Sequence, residues 1–326
     1  MLCGSRADHA QWLLAVSTAL TVLSVCLAVV NAVPGKTVYE LMQRPELKRR
    51  CGVTEMRVGD GLEPYIFEGD DLKEGEFPFF VQVGTFEDNY GIRKDCSGFA
   101  LTPHHVLTSV ECVAKRRGTD VRPGIRNTYY HAMPYHHAAK ALLADRYVTH
   151  PSTSEYKDAF AILEIDPEVQ DPSIKLKDTA CLPLEDYTNV RTYGPRSLCY
   201  QIGSGASKPQ KAQPIPWSQV PQFYQKMRVQ EVPCIENQFD NRFRCFHDPD
   251  EEGALCYGDT GGPTACYDYD SKRWVVVGMA QYRPDSNCSA GEVFGSWRLD
   301  TDAIKKLLMQ PDEKFFRVRS TGIDLN

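Results

Sequence analysis

The chain has 326 residues, 42% hydrophobic and 25% charged, with a formal net charge of −6. That length and apolar fraction suffice for one large core or two smaller ones. The mild acidic balance, relieved by short basic runs such as Lys48-Arg49-Arg50, argues against nucleic acid as a partner.

At the N-terminus, Trp12 to Val30 carries no charge, follows Arg6, and runs into Val30-Asn31-Ala32 with Pro34 behind it. Small residues at the first and third positions before the break predict a signal peptide over residues 1–32, cut after Ala32. The other reading of so long an uncharged run is a retained anchor. Either way the rest of the chain faces an oxidising compartment, and cleavage makes it a secreted, extracellular protein free of the membrane. Of the twelve cysteines, Cys3 and Cys26 fall in this leader, which leaves ten. An even number in an exported chain reads as disulfides before metal ligands, and no CxxC pair occurs. Spacing alone leaves their pairing open.

Residues 33–65 form a polar N-terminal pro-segment with one predicted helix, Thr37 to Arg49. Its basic end, Lys48-Arg49-Arg50, reads as an exposed helix end, or as a proprotein-convertase site that would release Val33 to Arg50. Short β-rich runs follow, broken by Gly, Pro, Asn and Asp: Phe79 to Val83, Phe99 to Leu101, His105 to Thr108, Ala159 to Ile165 and Trp274 to Tyr282. Many short strands without intervening helices predict an all-β antiparallel sandwich or barrel over residues 66–310. A helical period returns in Thr301 to Met309, and residues 311–326 are a polar tail. His131, His136 and His137 lack any fixed ligand spacing, so no metal or other cofactor is expected. Asn287-Cys288-Ser289 is a sequon for N-glycosylation at Asn287.

The stretch CYGDTGGPTAC, Cys256 to Cys266, places a hydroxyl and a carboxylate on a glycine-permitted turn. A hydroxyl becomes a nucleophile only with a base beside it. Five ordered motifs here resemble the trypsin-like serine peptidases of the chymotrypsin fold: IFEGDDLKEGEFPFFVQV (Ile66 to Val83), CSGFALTPHHVLTSVEC (Cys96 to Cys112), HPSTSEYKDAFAILEI (His150 to Ile165), ACLP (Ala180 to Pro183) and CYGDTGGP (Cys256 to Pro263). Cys51-Gly52 behind a short helix is similar to a divergent secreted branch common in nematodes. The resemblance implies two six-stranded antiparallel barrels with a cleft between them and a short C-terminal helix. It also implies the pairs Cys51–Cys181, Cys96–Cys112, Cys199–Cys266, Cys234–Cys245 and Cys256–Cys288.

The same resemblance assigns the site. Its general-base histidine falls on Glu111, its orienting aspartate on Ala159 (with Asp158 adjacent), and its nucleophile on Thr260. A glutamate carboxyl ordinarily titrates near ~4.3 and is a poor base at neutral pH. The N–H groups of Gly258 and Thr260 would form the oxyanion hole. Ile66 and Asp259 match the activation pair, although Tyr65 stands where a basic residue directs the cut. The specificity pocket falls on Ala254 at its base and Gln281-Tyr282-Arg283 along its wall, without a carboxylate for Lys or Arg. The expected function is that of a secreted trypsin-like homologue that does not cut peptides and works by binding a protein, namely a protease, an inhibitor or a protease substrate. The alternative is an atypical serine-type endopeptidase using Thr260 with Glu111 or with His105, which lies six residues earlier and is expected to sit too far away. A structural or matrix role finds no repeating interface in the sequence.

Overall fold

Among the described residues, sixteen strands and four short helices emerge from this punctuated sequence in a computed structural model. It describes residues 36–54, 70–72, 75–87, 91–117, 120–123, 127–132, 142–149, 160–165, 178–184, 186–187, 190–194, 196–205, 225–235, 238–256, 258–281, 288–311 and 314–317. One sheet carries β2 (Phe80–Glu87), β3 (Gly91–Thr102), β4 (His105–Ser109), β7 (Asn127–Ala132), β8 (Leu142–Thr149), β9 (Phe160–Ile165) and β16 (Phe316–Arg317). The other carries β1 (Asp70–Asp71), β10 (Cys199–Gly203), β11 (Gln225–Val232), β12 (Phe243–His247), β13 (Pro263–Asp268), β14 (Arg273–Gln281) and β15 (Phe294–Arg298). A separate ribbon joins β5 (Ala114–Arg117) to β6 (Asp120–Pro123).

The second sheet runs β1-β11-β10-β13-β14-β15-β12, and β11 also pairs β12, so six strands close into a barrel with β1 outside the ring. Closure removes the unpaired edges that would otherwise template aggregation. The first sheet runs β16-β8-β7-β2-β3-β4-β9 with a return pairing of β8 to β9. Its β7–β8 seam is confined to Tyr129↔Leu143 and Tyr130↔Leu142. Every strand pair within both sheets is antiparallel. The all-β expectation agrees with this architecture.

The N-terminal helix departs from expectation. It breaks into α1 (Val38–Met42) and α2 (Pro45–Arg50), with Arg44 extended at φ −61°, ψ 134°. Pro45 lacks an N–H and restricts the residue before it, so one helix cannot pass through. Thr37 opens α1 with a capping box: its hydroxyl accepts from the Glu40 N–H at 3.2 Å, and Glu40 accepts from the Thr37 N–H at 2.9 Å. The basic end of α2 is paired, through Lys48 to Asp186 at 2.7 Å and Arg50 to Asp178 at 3.3 Å. Val38 is buried in the main core. At the other end, the one-turn α3 (Val110–Val113) follows β4, and α4 (Asp302–Leu308) buries Ile304, Leu307 and Leu308 at the spacing of one helical face. Among the described residues no helix is long and apolar enough to cross a membrane.

The five disulfides are the five pairs that the resemblance implies. The main core centres on Trp274, whose ring lies 4.9 Å from Phe77, 5.6 Å from Tyr200 and 5.4 Å from Tyr267, centroid to centroid. Strand β14 is buried on both faces. Trp274 and Val276 enter this core, whereas Val275 and Val277 enter a second cluster with Phe246 and Leu255. The β13–β14 register then slips: Ala265 pairs Val276 but Thr264 pairs Gly278. That extra residue is a bulge at Val277, and a bulge turns every later side chain to the other face. Met279 accordingly rejoins the main core and Ala280 the second cluster.

Candidate functional site

The turn Asp259 to Gly262 lies between the two sheets and is stitched to both. The Gly261 N–H donates to the Ala280 carbonyl at 2.9 Å, and the Ala280 N–H returns a bond to the Gly262 carbonyl at 2.8 Å. From the first sheet, the Ser97 N–H donates to the Thr260 carbonyl at 2.8 Å. The Ser97 hydroxyl donates to the Gly258 carbonyl at 3.0 Å and accepts from the Ser204 N–H at 3.1 Å. Gly258 sits at φ +105°, a backbone conformation that side-chain-bearing residues resist. Thr260 itself is 8% exposed.

The Asp259 side chain is turned toward the Gly203–Gly205 turn. One carboxylate oxygen accepts from the Gly205 N–H at 2.7 Å and the other from the Cys256 N–H at 2.8 Å. A Cβ on Gly205 would collide with this carboxylate, so glycine is required there by close approach. Burial pushes the Asp259 carboxyl up to about 6, against the two backbone N–H bonds that favour its charged form.

Glu111 stands in α3, one residue before the Cys112 that is bonded to Cys96. The Ser109 hydroxyl accepts from the Glu111 N–H at 3.2 Å. One Glu111 carboxylate oxygen accepts from the Gln281 side-chain amide at 2.9 Å, a bond between residues 170 positions apart. The carbonyl of that amide accepts from the Trp297 indole N–H at 3.0 Å. Trp297 packs against Phe243 of its own sheet at 4.1 Å and Phe160 of the other sheet at 6.2 Å. The Arg242 guanidinium lies 5.3 Å from its ring centre.

His105 is buried at the opposite end of β4. Its Nδ1 shares a 2.7 Å hydrogen bond with the Thr102 hydroxyl, and its ring meets Phe315 edge-on at 6.1 Å. A five-residue strand spans roughly 16 Å, so His105 does not reach the Thr260 turn. Ala254 lies half-buried in a loop held by Asp248, whose carboxylate accepts N–H bonds from Asp250 at 3.0 Å, Glu252 at 3.1 Å and Gly253 at 2.6 Å. His131 lies in β7, paired with Gln82. Tyr65, Ile66, His136, His137, Asp158, Ala159, Tyr282, Arg283 and Asn287 lie outside the described residues.

The geometry thus brings together Gly258, Asp259, Thr260, Glu111 and Gln281. Sequence reading missed Trp297 and Asp248 as organisers of the site. A buried indole requires an acceptor, which was the one available signal for Trp297. Nothing in its local sequence marked Asp248 apart from other loop aspartates.

A disulfide-bonded pair of antiparallel sheets, with a glycine-hinged hydroxyl turn where they meet, defines the serine-peptidase architecture. The family model described as Trypsin matches residues 66–296, and the chain belongs to that family. It is 24% identical over 234 residues to the human protein named transmembrane protease serine 5, covering 68% of this chain and 46% of that protein. The match therefore spans about half of that relative's length. It is 21% identical over 249 residues to serine protease 28 of Mus musculus, covering 70% of this chain and 84% of the mouse protein. Human heparin binding protein shares the fold at a TM-score of 0.50 and 17% identity, over 72% of this chain and 92% of its own.

Proposed function

We infer that this trypsin-family chain is a secreted homologue that does not hydrolyse peptides efficiently and acts by binding a protein partner: a protease, an inhibitor or a protease substrate. The observation that supports the reading best is Glu111, a carboxylate tied to the Gln281 amide at the position the family resemblance gives to an imidazole. Peptide hydrolysis by this chemistry needs a group that takes the hydroxyl proton through one nitrogen and is oriented through the other. A carboxylate has no such second nitrogen. Losing the nucleophile or the base alone lowers turnover about 10⁶-fold in enzymes of this kind. Ala159 at the orienting position and Thr260 at the nucleophile compound the loss. His105, bonded to Thr102, offers no substitute base.

On this reading the oxyanion hole of Gly258 and Thr260 is a remnant, and Ala254, Gln281, Tyr282 and Arg283 no longer form a pocket for a basic side chain. Cleavage before Ile66 would supply an ammonium group to the buried Asp259 carboxyl, and Asn287 is the glycosylation site. The test is a fluorophosphonate probe applied to the purified protein beside an active trypsin. No adduct on Thr260 is the expected result, and stoichiometric labelling of Thr260 would favour the atypical endopeptidase instead.

A further inference from the structure

We propose that Glu111, Gln281 and Trp297 form a fixed clasp that shuts the cleft over the Thr260 turn, so that the chain excludes an extended peptide by its own side chains. The inference rests on the non-catalytic reading above, in which Glu111 has no proton to move.

The clasp begins in the backbone of β14. Without the bulge at Val277, Gln281 would share a face with Val275 and Val277 and point into the second cluster. The bulge places it instead on the face of Met279, toward the main core that contains Trp297. Its amide is then used at both ends, the nitrogen donating to Glu111 and the oxygen accepting from Trp297. Donor and acceptor ends differ, so only one orientation of the amide satisfies both neighbours.

Each end of the clasp is anchored independently. Trp297 is 5% exposed and wedged between Phe243 and Phe160. Arg242, which lies over its ring, is itself held by Asp240 through Nε at 2.9 Å. Glu111 is fixed by the Ser109 bond and by the neighbouring disulfide at Cys112. A hydrogen bond to an ionised carboxylate is stronger than one between neutral groups.

The clasp also spans the right place. Ala280, which precedes Gln281, is bonded to Gly261 and Gly262. The Thr108 hydroxyl and the Ser109 nitrogen, which precede Glu111, pack against the other side of Gly261. The Glu111–Gln281 bond therefore bridges the two walls on either side of the Thr260 turn. An attacking hydroxyl requires a substrate carbonyl within about 3–3.5 Å, and a clasp closed over the turn would keep a peptide from that distance.

A thiol at the turn reports on access. Thr260→Cys, purified with its five disulfides intact, is treated with iodoacetamide and the alkylation rate is followed by mass spectrometry. The expected rate is slow with the clasp whole and at least tenfold faster when Gln281→Ala is added. Glu111→Gln keeps an oxygen that accepts from Gln281, and its rate should stay within about twofold of the intact clasp. Where Gln281→Ala fails to fold, Glu111→Ala opens the same bond from the other side. Equal alkylation rates with and without the Gln281 side chain, or between intact Glu111 and Glu111→Ala, overturn the clasp, whatever the fluorophosphonate probe shows. Gated alkylation together with probe labelling of native Thr260 would keep the clasp and remove the non-catalytic reading.

Discussion

Asp259 holds its carboxyl against the backbone N–H groups of Gly205 and Cys256, and the consequence is a definite dependence on pH. Its ordinary value of 3.8 is raised to about 6, chiefly by burial. An acid raised on folding stabilises the native state fully below its unfolded value and loses that contribution as pH rises through the folded one. For Asp259 the window runs from about pH 4 to about pH 6, and the contribution lost is about 3 kcal/mol. Asp300 works in the opposite direction. Burial pushes it up, but the bond from Arg298 and the charges of Arg244 and Arg298 outweigh burial and hold it below the ordinary value. Its stabilisation is present at neutral pH and fades as pH falls through the depressed value. The two effects separate in a difference measurement between the uncleaved wild type and Asp259→Asn. The wild type should lose stability relative to the variant between pH 4 and pH 7 in urea titrations. A difference that stays flat with pH would show that the Asp259 carboxyl is not burdened by its burial.

Among the elements, Arg244 of β12 ties three segments together. Its guanidinium donates to Glu231 of β11 at 3.2 Å, to Asp300 before α4 at 2.9 Å, and to the Thr192 hydroxyl at 3.3 Å. Thr192 donates in turn to Glu231. The ion-pair partners are about four-fifths covered, so removing the cation leaves the Glu231 carboxylate without its ion-pair partner, while Asp300 keeps Arg298 at 2.8 Å. Arg244→Ala should cost about 3 kcal/mol in denaturant unfolding, and a loss under ~0.5 kcal/mol would mean the network is solvent-relaxed. The network was not legible beforehand, because its members are far apart in the chain and look like ordinary surface charges. Elements with strong local signals fared better. Trp274 to Tyr282 and Thr301 to Met309 were both recognisable, since apolar runs and helical spacing are local properties. Composition suits a single helix over Thr37 to Arg49, and Pro45 alone vetoes it. The strands β5 and β6 were missed altogether. Ala114–Arg117, with the basic run Lys115-Arg116-Arg117, and Asp120–Pro123 carry no apolar alternation, and only pairing with each other makes them strands.

For the whole molecule, the framework was legible where the family resemblance carried it, down to the five disulfide pairs. The contacts of the site were not legible in the sequence. Glu111 and Gln281 were each singled out, yet nothing local to either reveals a bond across 170 residues and a bulge that aims one at the other. The central claim is that the peptidase scaffold persists without its proton relay. Hydrolysis of unfolded casein by the purified chain, both intact and after cutting between Tyr65 and Ile66, tests it most directly. The account predicts no peptide release above the buffer control in either form. Release that disappears in Thr260→Ala would contradict it.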